Sequence, residues 1–373
     1  MSSLLKDIYS EDFYHQLANS LEKTIPGFDR QQFMDLIFPD AFESMELKQR
    51  MTHTIDTIAG FLSEDFREGA TEICTLIDNL KQADSHEQSF EYMFLPEFIE
   101  TRGIDHFETS IQAFEFITQF TSCEFAVRPF IHRYGQPMLD QMLIWTRHEH
   151  AMVRRLASEG SRPRLPWAMA LPSLKQDPAP LVPILQALKQ DSSESVRRSV
   201  ANNLNDISKD NPEFVISLVK GWQGISIETD ALIKHACRTL LKQGEPRMMA
   251  LFGYDSKGIE INDFALCTAN VVFGSSLEFS FAIMNKADKA RKIRIEYAIY
   301  HLKKNGDLTR KVFKISERDV DKNSITKLVK KHAIKPITTR QYYAGRHQVA
   351  VIINGIESDT IDFELEIKPD PNS

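Results

Sequence analysis

The sequence predicts a multidomain protein in which an all-α region precedes a β-sandwich. Hydrophobic residues recur with a period of about 3.6 over residues 9–250, which is typical of amphipathic helices. After Tyr254 the period changes to two, which is typical of strands. Segments rich in proline and glycine divide the first region into lengths of one or two helices. We therefore expect a helical domain over residues 1–254 and a β domain over residues 255–373.

An internal repeat lies within the helical region. The sequence VRRLA at residues 153–157 resembles VRRSV at residues 196–200, which begins 43 residues further on. A third copy, IKHAC at residues 233–237, begins after another 37 residues. Repeats of about 40 residues with paired helices are typical of HEAT-like arrays, in which one layer of helices lines a concave face. We therefore predict a HEAT-like repeat solenoid.

Basic residues follow this repeat in a single register, so stacking of the repeats would align them in a stripe. They are Arg154, Arg155, Arg197, Arg198, Lys234 and His235. A solvated helix face with capping arginines explains the same pattern, and both interpretations stay open on the repeat alone. Recurrence in three successive units favours the stripe.

The region after Tyr254 reads as short strands. Apolar and polar residues alternate over residues 277–283, 293–299, 349–353 and 361–367. The dipeptides Asn305-Gly306 and Asn354-Gly355 are typical of hairpin turns, because asparagine and glycine tolerate positive φ. About seven strands of this kind predict an immunoglobulin-like β-sandwich. A Cys…Trp…Cys framework is missing, so an antibody-like domain is not expected.

Composition indicates a soluble globular protein, since 42% of the 373 residues are hydrophobic and 26% are charged. The four cysteines form no CxxC pair, and His148 and His150 do not share a helical face, so neither pattern favours a metal site. The apolar runs are too short for a membrane span, and the first residues turn acidic too early for a signal peptide. We expect a cytoplasmic monomer without cofactor or metal.

The net charge of −7 conceals an uneven distribution. Residues 1–123 carry 8 basic and 23 acidic groups, or −15. Residues 124–247 carry 17 basic and 13 acidic groups, or +4, and residues 256–373 carry 20 and 15, or +5. The first third of the chain is thus acidic and the rest is weakly basic. A basic segment of this kind is compatible with a polyanionic partner.

Residues 153–167 gather chemically useful side chains. Arg155 and Glu159 are four residues apart and share a helical face, and a loop with two more arginines then leads to Trp167. Glu124, from the preceding unit, is expected at the same rim of the concave surface. Carboxylates, guanidinium groups and an indole would therefore meet at one site.

A purely structural arrangement of the same residues is the alternative. In it, Glu124 pairs with Arg128, Glu159 pairs with Arg155, and Trp167 fills the core between repeats. Ordinary HEAT proteins would use the residues in this way.

Three segments carry a resemblance to a known family. The runs VRRLASEGSRPRLPW at 153–167, SVRRSVANNLNDISKDNP at 195–212 and MELKQRMTH at 45–53 are similar to the AlkC branch of the AlkC/AlkD family of bacterial alkylbase DNA glycosylases. The resemblance covers the helical region to about Tyr254. The β domain resembles the one carried by the AlkC subset with an immunoglobulin-like domain.

The resemblance implies a HEAT-like solenoid that binds double-stranded DNA containing alkylated bases on its concave face. It implies excision of cationic N-methylated bases, such as 3-methyladenine and 3-methylcytosine, without base flipping. By matching motif positions, Glu124 and Glu159 are the implied catalytic carboxylates, and Trp167 is the implied aromatic residue beside the lesion. Asp206 is expected near them.

The chemistry fits these residue types. A base methylated on a ring nitrogen is already cationic, so it leaves as a neutral molecule without a general acid. Carboxylates can stabilise the oxocarbenium-like sugar and orient water, and an indole attracts cations. We expect no lysine in the cluster, and therefore a monofunctional enzyme.

The arginines are expected to contact DNA phosphates, which gives affinity without sequence preference. The main candidates are Arg155, Arg162, Arg164 and Arg198, and the weaker ones are Arg154, Arg197, Lys234 and Arg238. A non-catalytic HEAT–immunoglobulin-like scaffold that binds DNA or protein is the alternative function. A scaffold has no need of the carboxylate and tryptophan cluster.

Overall fold

Helices precede strands along the chain, as predicted. The computed structural model describes residues 5–83, 90–337 and 340–367. The last of its helices ends at Leu251, and the first of its strands begins at Ile259. Contacts divide the chain into two compact units, Met1–Ala236 and Cys237–Ser373. In the described ranges, no helix is both long and apolar enough to cross a membrane.

The first unit is helical throughout its described part. Its α-helices are α1 (Glu11–Thr24), α2 (Arg30–Ile37), α3 (Leu47–Ala59), α4 (Phe66–Gln82), α5 (Leu95–Arg102), α6 (Phe107–Ile117), α7 (Val127–Tyr134), α8 (Gln136–Trp145), α9 (Ala151–Glu159), α10 (Pro172–Gln176), α11 (Val182–Leu188), α12 (Glu194–Ile207), α13 (Pro212–Lys220) and α14 (Ile227–Ala236). Side-chain caps start several of them: the Ser10 hydroxyl accepts from the Phe13 amide, and the Asp65 carboxylate accepts from Arg67 and Glu68.

The internal repeat corresponds to helices that lie side by side. Helix α12 packs against α9 on one side and α14 on the other, and α11 packs behind α9 and α12. The first apolar residue of each repeat copy, at Val153, Val196 and Ile233, is at most 1% exposed. Burial of this position explains why it recurs as a branched aliphatic residue. We call α9, α12 and α14 the repeat helices.

The second unit contains two short helices and a β-sandwich. The helices are α15 (Arg238–Gln243) and α16 (Pro246–Leu251). The strands are β1 (Ile259–Leu266), β2 (Asn270–Val272), β3 (Ser276–Asn285), β4 (Arg291–Leu302), β5 (Leu308–Val320), β6 (Ser324–Ala333), β7 (Gly345–Ile353), β8 (Ile356–Glu357) and β9 (Ile361–Glu366). The described residues thus hold nine strands, two more than expected, because the pattern of β2 and β8 is too short to detect.

Two sheets enclose the core of the sandwich. One has the order β1-β3-β6, and the other has the order β2-β9-β7-β4-β5 with β8 added to β7. Alternate residues of β3 and β4, among them Phe279 and Ile295, fill the space between them. The predicted turn between β7 and β8 forms with Asn354 at φ 49° and Gly355 at φ 80°, as a two-residue hairpin requires.

Candidate active site

Glu159 occupies the end of a repeat helix, where its backbone is tightly fixed. It is the last residue of α9 and is 5% exposed. The next residue, Gly160, approaches α7 so closely that a Cβ there would lie 2.5 Å from Cγ2 of Val127. Any side chain at this position would force α7 and α9 apart, so glycine allows their close packing at the end of α9.

Arg162 joins two buried carboxylates. Its Nη1 donates to Oε1 of Glu159 at 2.5 Å, and its Nε donates to Oδ2 of Asp206 on α12 at 2.8 Å. Arg162 is 7% exposed and Asp206 is 1% exposed. The charged guanidinium is stabilised in this buried place by both carboxylates, which raise the pKa of Arg162 against the opposing effect of burial. Residues 44 positions apart are thus held at one point.

Glu124 enters the cluster through Arg155. Nη1 of Arg155 donates to Oε2 of Glu124 at 2.9 Å, and its Nη2 lies 3.8 Å from Oε1 of Glu159. The Ser122 hydroxyl also donates to Oε2 of Glu124, at 2.8 Å. Arg155 therefore lies between the two glutamates. This differs from the purely structural arrangement, in which Glu124 would pair with Arg128.

Trp167 does not fill the core between repeats. Its side chain is 63% exposed, and its backbone adopts φ 66°, the left-handed region that a bulky residue rarely occupies. Its ring lines a cavity of about 610 Å³ that is also lined by Glu124, Arg155, Glu159 and Arg162. The carboxylates, the guanidinium groups and the indole thus meet as predicted.

Arg128 supports the loop that leads to Trp167, a role that sequence reasoning missed. It is fully buried, and its guanidinium donates to the carbonyl oxygens of Gly160 at 2.9 Å, Arg162 at 2.8 Å and Met169 at 2.7 Å. Burial, and secondarily the neighbouring Arg162, lower the pKa of Arg128 to about 10. Since Arg128 contacts main-chain carbonyls up to 41 residues away, no local sequence motif indicates this role.

A lysine does lie beside the cluster, contrary to expectation. Nζ of Lys209 is 2.8 Å from Oδ1 of Asp206, and the lysine side chain is 40% exposed. Asp206 lies in the last turn of α12 and Lys209 in the turn that follows the helix, so their spacing of three residues could have revealed this ion pair.

The first arginine of each repeat pair has a structural role. Nη1 of Arg154 donates to the carbonyls of residues 148 and 149, and Nη1 of Arg197 donates to those of residues 191 and 192. Arg154 also binds Asp191 through Nε at 2.7 Å. Both arginines thus hold the loop that precedes their own helix, in equivalent geometry. Contact of Arg154 and Arg197 with DNA stays a prediction, while the structure shows both engaged with these loops.

The remaining predicted DNA-binding residues are spread more widely. Arg164 forms two hydrogen bonds with the Asp210 carboxylate, at 2.6 and 2.8 Å. The side chain of Arg198 on α12 is 69% exposed and lies 3.6 Å from Glu194. Lys234 lies half-buried in the last turn of α14, and Arg238 is half-buried at the start of α15 in the second unit.

The two histidines before α9 form hydrogen bonds with the backbone. Nδ1 of His148 accepts from the His150 amide at 2.9 Å, and Nδ1 of His150 accepts from the Met152 amide at 3.3 Å. They serve as caps for the helix start. Across residues 5–83, 90–337 and 340–367, no group of three or more histidine, cysteine, aspartate or glutamate side chains could hold a metal ion.

Comparison with known proteins identifies the class to which this fold and site belong. Residues 34–240 match the family model described as "DNA alkylation repair enzyme", and the chain belongs to this family. Residues 260–367 match the model described as "Uncharacterised protein YhaZ, C-terminal Ig-like domain". The expected order of a helical repeat domain and an immunoglobulin-like domain is thereby confirmed.

Two particular proteins are similar over nearly the whole chain. The alkylpurine DNA glycosylase AlkC of Pseudomonas fluorescens, solved bound to DNA containing an abasic site analog, has a TM-score of 0.91 and 34% identity over 98% of this chain and 100% of its own. The uncharacterized protein YhaZ of Bacillus subtilis (strain 168) is 41% identical over 97% of this chain and 99% of its own. The predicted resemblance to the AlkC branch is confirmed.

Proposed function

We propose that this protein is a monofunctional DNA glycosylase that removes cationic N-methylated bases, among them 3-methyladenine and 3-methylcytosine, from double-stranded DNA without flipping them. The observation that carries the proposal is the network of Glu124, Arg155, Glu159, Arg162 and Asp206 at a cavity beside the exposed Trp167. The similarity to AlkC in complex with DNA containing an abasic site analog supports DNA as the partner.

The arrangement suits departure of a base that is already charged. When the bond between C1′ and the base nitrogen breaks, its electron pair neutralises the methylated base, so no general acid is needed. Positive charge develops on the sugar, and carboxylates near C1′ stabilise it by Coulomb attraction. A water molecule then forms the C1′–O bond, and one of its protons passes to a carboxylate or to solvent. The products are an abasic site and a neutral base.

The arginines inside the cluster hold the carboxylates in fixed positions before the substrate binds. Arg155 holds Glu124, and Arg162 holds Glu159 and Asp206. Fixed charges in a partly buried site stabilise a developing cation without the cost of reorientation. Since the guanidinium of Arg162 is buried and bound on two sides, we assign it to positioning carboxylates instead of to phosphate contact.

Trp167 supplies selectivity for cations. A cation over an indole is stabilised by a cation–π interaction of about 0.5–2 kcal/mol, whereas a neutral base lacks this interaction. The ring lies on a loop at an open cavity, which fits contact with a lesion that stays near the helix stack. Selection by charge instead of by a closed pocket is consistent with excision without base flipping.

Phosphate contacts are assigned to the exposed arginines of the repeat layer. Arg198 is the main candidate, because its side chain is 69% exposed and its one close partner of those described is the solvent-exposed Glu194. Arg164 at the loop edge, and Lys234 and Arg238 further along the chain, are secondary candidates. Contacts of this kind give salt-dependent affinity without sequence preference.

Lys209 bears on whether the enzyme also cleaves the DNA strand. Its ammonium group is bound to the Asp206 carboxylate, and an ammonium ion has no electron pair for attack on C1′. We therefore propose hydrolysis by water and no Schiff base. Treatment with borohydride during turnover is expected to trap no covalent complex between protein and DNA, and trapping that disappears in Lys209→Met would contradict the monofunctional assignment.

The decisive experiment measures release of free methylated bases from alkylated duplex DNA. We expect release by the wild type and a loss of about 10²–10⁴-fold in the single-turnover rate for Glu159→Gln and Glu124→Gln, because glutamine removes the negative charge and keeps the shape. Affinity for DNA with an abasic site analog is measured in parallel and is expected to be retained.

Two outcomes would contradict the proposal. Wild-type rates in both glutamine variants would exclude the carboxylate mechanism. Binding of alkylated DNA with no release by the wild-type protein would favour the non-catalytic scaffold. An alkylated RNA duplex tests the substrate backbone in the same assay.

A further inference from the structure

The segment 45–53, most of which forms the first turns of α3, takes no direct part in the mechanism above, yet one of its side chains reaches the loop of Trp167. Nζ of Lys48 donates a hydrogen bond to the main-chain carbonyl of Trp167, across 119 residues of sequence. The same ammonium group lies 5.3 Å from the centroid of the Phe125 ring. Lys48 thus connects the acidic first third of the chain to the active-site loop.

The other polar residues of this segment stabilise the fold of the first unit. Arg50 is buried and donates to the carbonyls of Lys6 and Tyr9. His53 contacts the carbonyl of Ile37 at 3.1 Å. Lys48, in contrast, is exposed, and its hydrogen bond is not needed to satisfy a buried group. A structural role therefore accounts for Arg50 and His53 but not for Lys48.

A second cavity lies on the other side of the Trp167 loop. It has a volume of about 230 Å³ and is lined by Lys48, Glu97, Glu100, Phe125 and Trp167, among others. Phe125 and Trp167 also line the active-site cavity. Both cavities therefore share Trp167 in their lining, and a shift of its loop changes the lining of the active-site cavity.

The backbone of Trp167 needs external support. A residue with a Cβ is sterically disfavoured at positive φ, and Trp167 has φ 66°. Its ring is 63% exposed, so packing of the side chain does little to fix it. Arg128 holds the chain two residues later, at Met169. Lys48 holds the Trp167 peptide itself.

Two carboxylates share the second cavity with the Lys48 side chain. Glu97 and Glu100, from the neighbouring α5, line the same cavity, and the Thr52 hydroxyl fixes Oε1 of Glu97 at 2.7 Å. Burial, and then Glu97, raise the pKa of Glu100 to about 7, while Lys48 opposes this rise. The Lys48 ammonium group thus interacts electrostatically with these carboxylates while it donates to the Trp167 carbonyl.

We propose that Lys48 is a positioning residue of the active site, which fixes the Trp167 peptide so that the indole faces the cavity of Glu124 and Glu159. This inference rests on the proposed function for its effect on catalysis. The contact between Lys48 and Trp167 can be tested without any activity.

Tryptophan fluorescence anisotropy isolates the contact. Of the chain's three tryptophans, all of them described, Trp145 and Trp222 are 1% and 2% exposed, whereas Trp167 is 63% exposed. Fast local motion on the sub-nanosecond timescale therefore comes mainly from Trp167. We expect Lys48→Met to increase the amplitude of this fast component, and Lys48→Arg to restore most of the wild-type value, because arginine can still donate to the carbonyl.

Lys81→Met is the matched control. Lys81 stacks on Phe116 with its Nζ 4.9 Å from the ring centroid, as Lys48 stacks on Phe125, but Phe116 lines neither cavity. The control is expected to keep the wild-type anisotropy. Equal anisotropy in Lys48→Met, Lys81→Met and the wild type would overturn the proposal.

The catalytic consequence is measured on alkylated duplex DNA. We expect Lys48→Met to lower the single-turnover rate by about 10–100-fold while the affinity for DNA with an abasic site analog changes by less than about threefold, since a small displacement of a catalytic group is costly. In the Trp167→Ala background, Lys48→Met is expected to have little further effect. Additive losses in this double variant would overturn the positioning role.

If the wild type releases no base, the proposed function fails, and the anisotropy experiment still decides whether Lys48 fixes Trp167.

Discussion

At the scale of residues, the two arginines of each repeat pair have different contacts, although they are adjacent in the sequence. Arg154 holds a loop through two carbonyls and Asp191, whereas Arg155, the next residue, lies between Glu124 and Glu159. Successive residues on a helix point about 100° apart, so one arginine of the pair faces the neighbouring loop and the other faces the cavity. The same division recurs at Arg197, which binds loop carbonyls, and Arg198, which is exposed.

Alanine substitution of the two adjacent arginines separates stability from activity. We expect Arg154→Ala to lower the free energy of unfolding by about 2–4 kcal/mol, because Asp191 loses its partner and two carbonyls lose their donor. We expect Arg155→Ala to cost less than about 1 kcal/mol in stability but at least about tenfold in the rate of base release, because Glu124 is no longer held. Urea denaturation and single-turnover kinetics measure the two effects. A stable Arg154→Ala protein with weakened DNA binding would instead assign Arg154 to phosphate contact.

The positive φ of Trp167 predicts a difference between two small replacements. Trp167→Gly is expected to be more stable than Trp167→Ala by about 1 kcal/mol, since glycine adopts φ 66° without steric cost. Both variants are expected to release cationic bases more slowly, because the cation–π term is lost. Thermal denaturation of the two variants provides the comparison. Greater stability of the alanine variant would show that the loop relaxes to negative φ once the indole is removed.

At the scale of elements, the end of α9 is fixed by close contact with its neighbours. Gly160 lies against α7, and Asn203 on α12 donates to the Ser158 carbonyl at 2.8 Å. The last turn of α9 is therefore held from both sides, and the Glu159 carboxylate has one position relative to Asp206. Rigid elements of this kind place catalytic groups more accurately than loops do.

Gly160→Ala tests this close packing. Its new methyl group would lie 2.5 Å from Cγ2 of Val127, so α7 and α9 must move apart. We expect a loss of stability of about 1–3 kcal/mol and slower base release, because Glu159 moves with the helix end. Gly221→Ala, where the Cβ would meet only the Leu218 carbonyl at 3.5 Å, is the matched control and is expected to be close to neutral. Equal stability of the two variants would mean that α9 is less tightly held than its contacts indicate.

At the scale of the whole molecule, acidic and basic residues are unevenly distributed along the chain. The first third carries −15, yet it supplies Lys48 to the active-site loop and a pair of carboxylates beside it. The net charge of −7 therefore says little about the surface that we propose for DNA binding. The carboxylates of the first third also make stability depend on pH.

Glu100 is expected to make the folded protein less stable as the pH rises from 5 to 8. Burial raises its pKa to about 7, above the usual value near 4.5, so the folded state favours the neutral acid. The stability contributed by Glu100 is therefore full below its unfolded-state pKa and is lost as the pH rises through about 7. Relative to Glu100→Gln, the wild type is expected to lose about 1–3 kcal/mol between pH 5 and pH 8 in urea denaturation. Glu108→Gln, on the exposed surface of α6, is expected to follow the wild-type pH profile. A constant difference between wild type and Glu100→Gln at both pH values would contradict the expectation.

The sequence by itself determined the order of the two folds, the repeat and most of the residues at the site. A hydrophobic period of about 3.6 indicates the buried face of a helix, and a period of two indicates that of a strand. The turns at Asn305-Gly306 and Asn354-Gly355 follow from the backbone preferences of asparagine and glycine. The run from 153 to 167 also placed Arg155, Glu159 and Trp167 near one another, because helical spacing puts Arg155 and Glu159 on one face and a short loop leads from Glu159 to Trp167.

The tertiary structure alone decided which partners these residues take. Arg162 reaches Asp206 across 44 residues, Arg128 reaches Met169 across 41, and Lys48 reaches Trp167 across 119. The left-handed backbone of Trp167, and its exposure instead of burial, are likewise features of the folded chain that the sequence did not predict. Local periodicity records whether a side chain faces the core, but it holds no information on which distant side chain meets it there. Hence most members of the site were predictable from the sequence, whereas the roles of Arg128 and Lys209, and the pairing of all of them, required the packed helices.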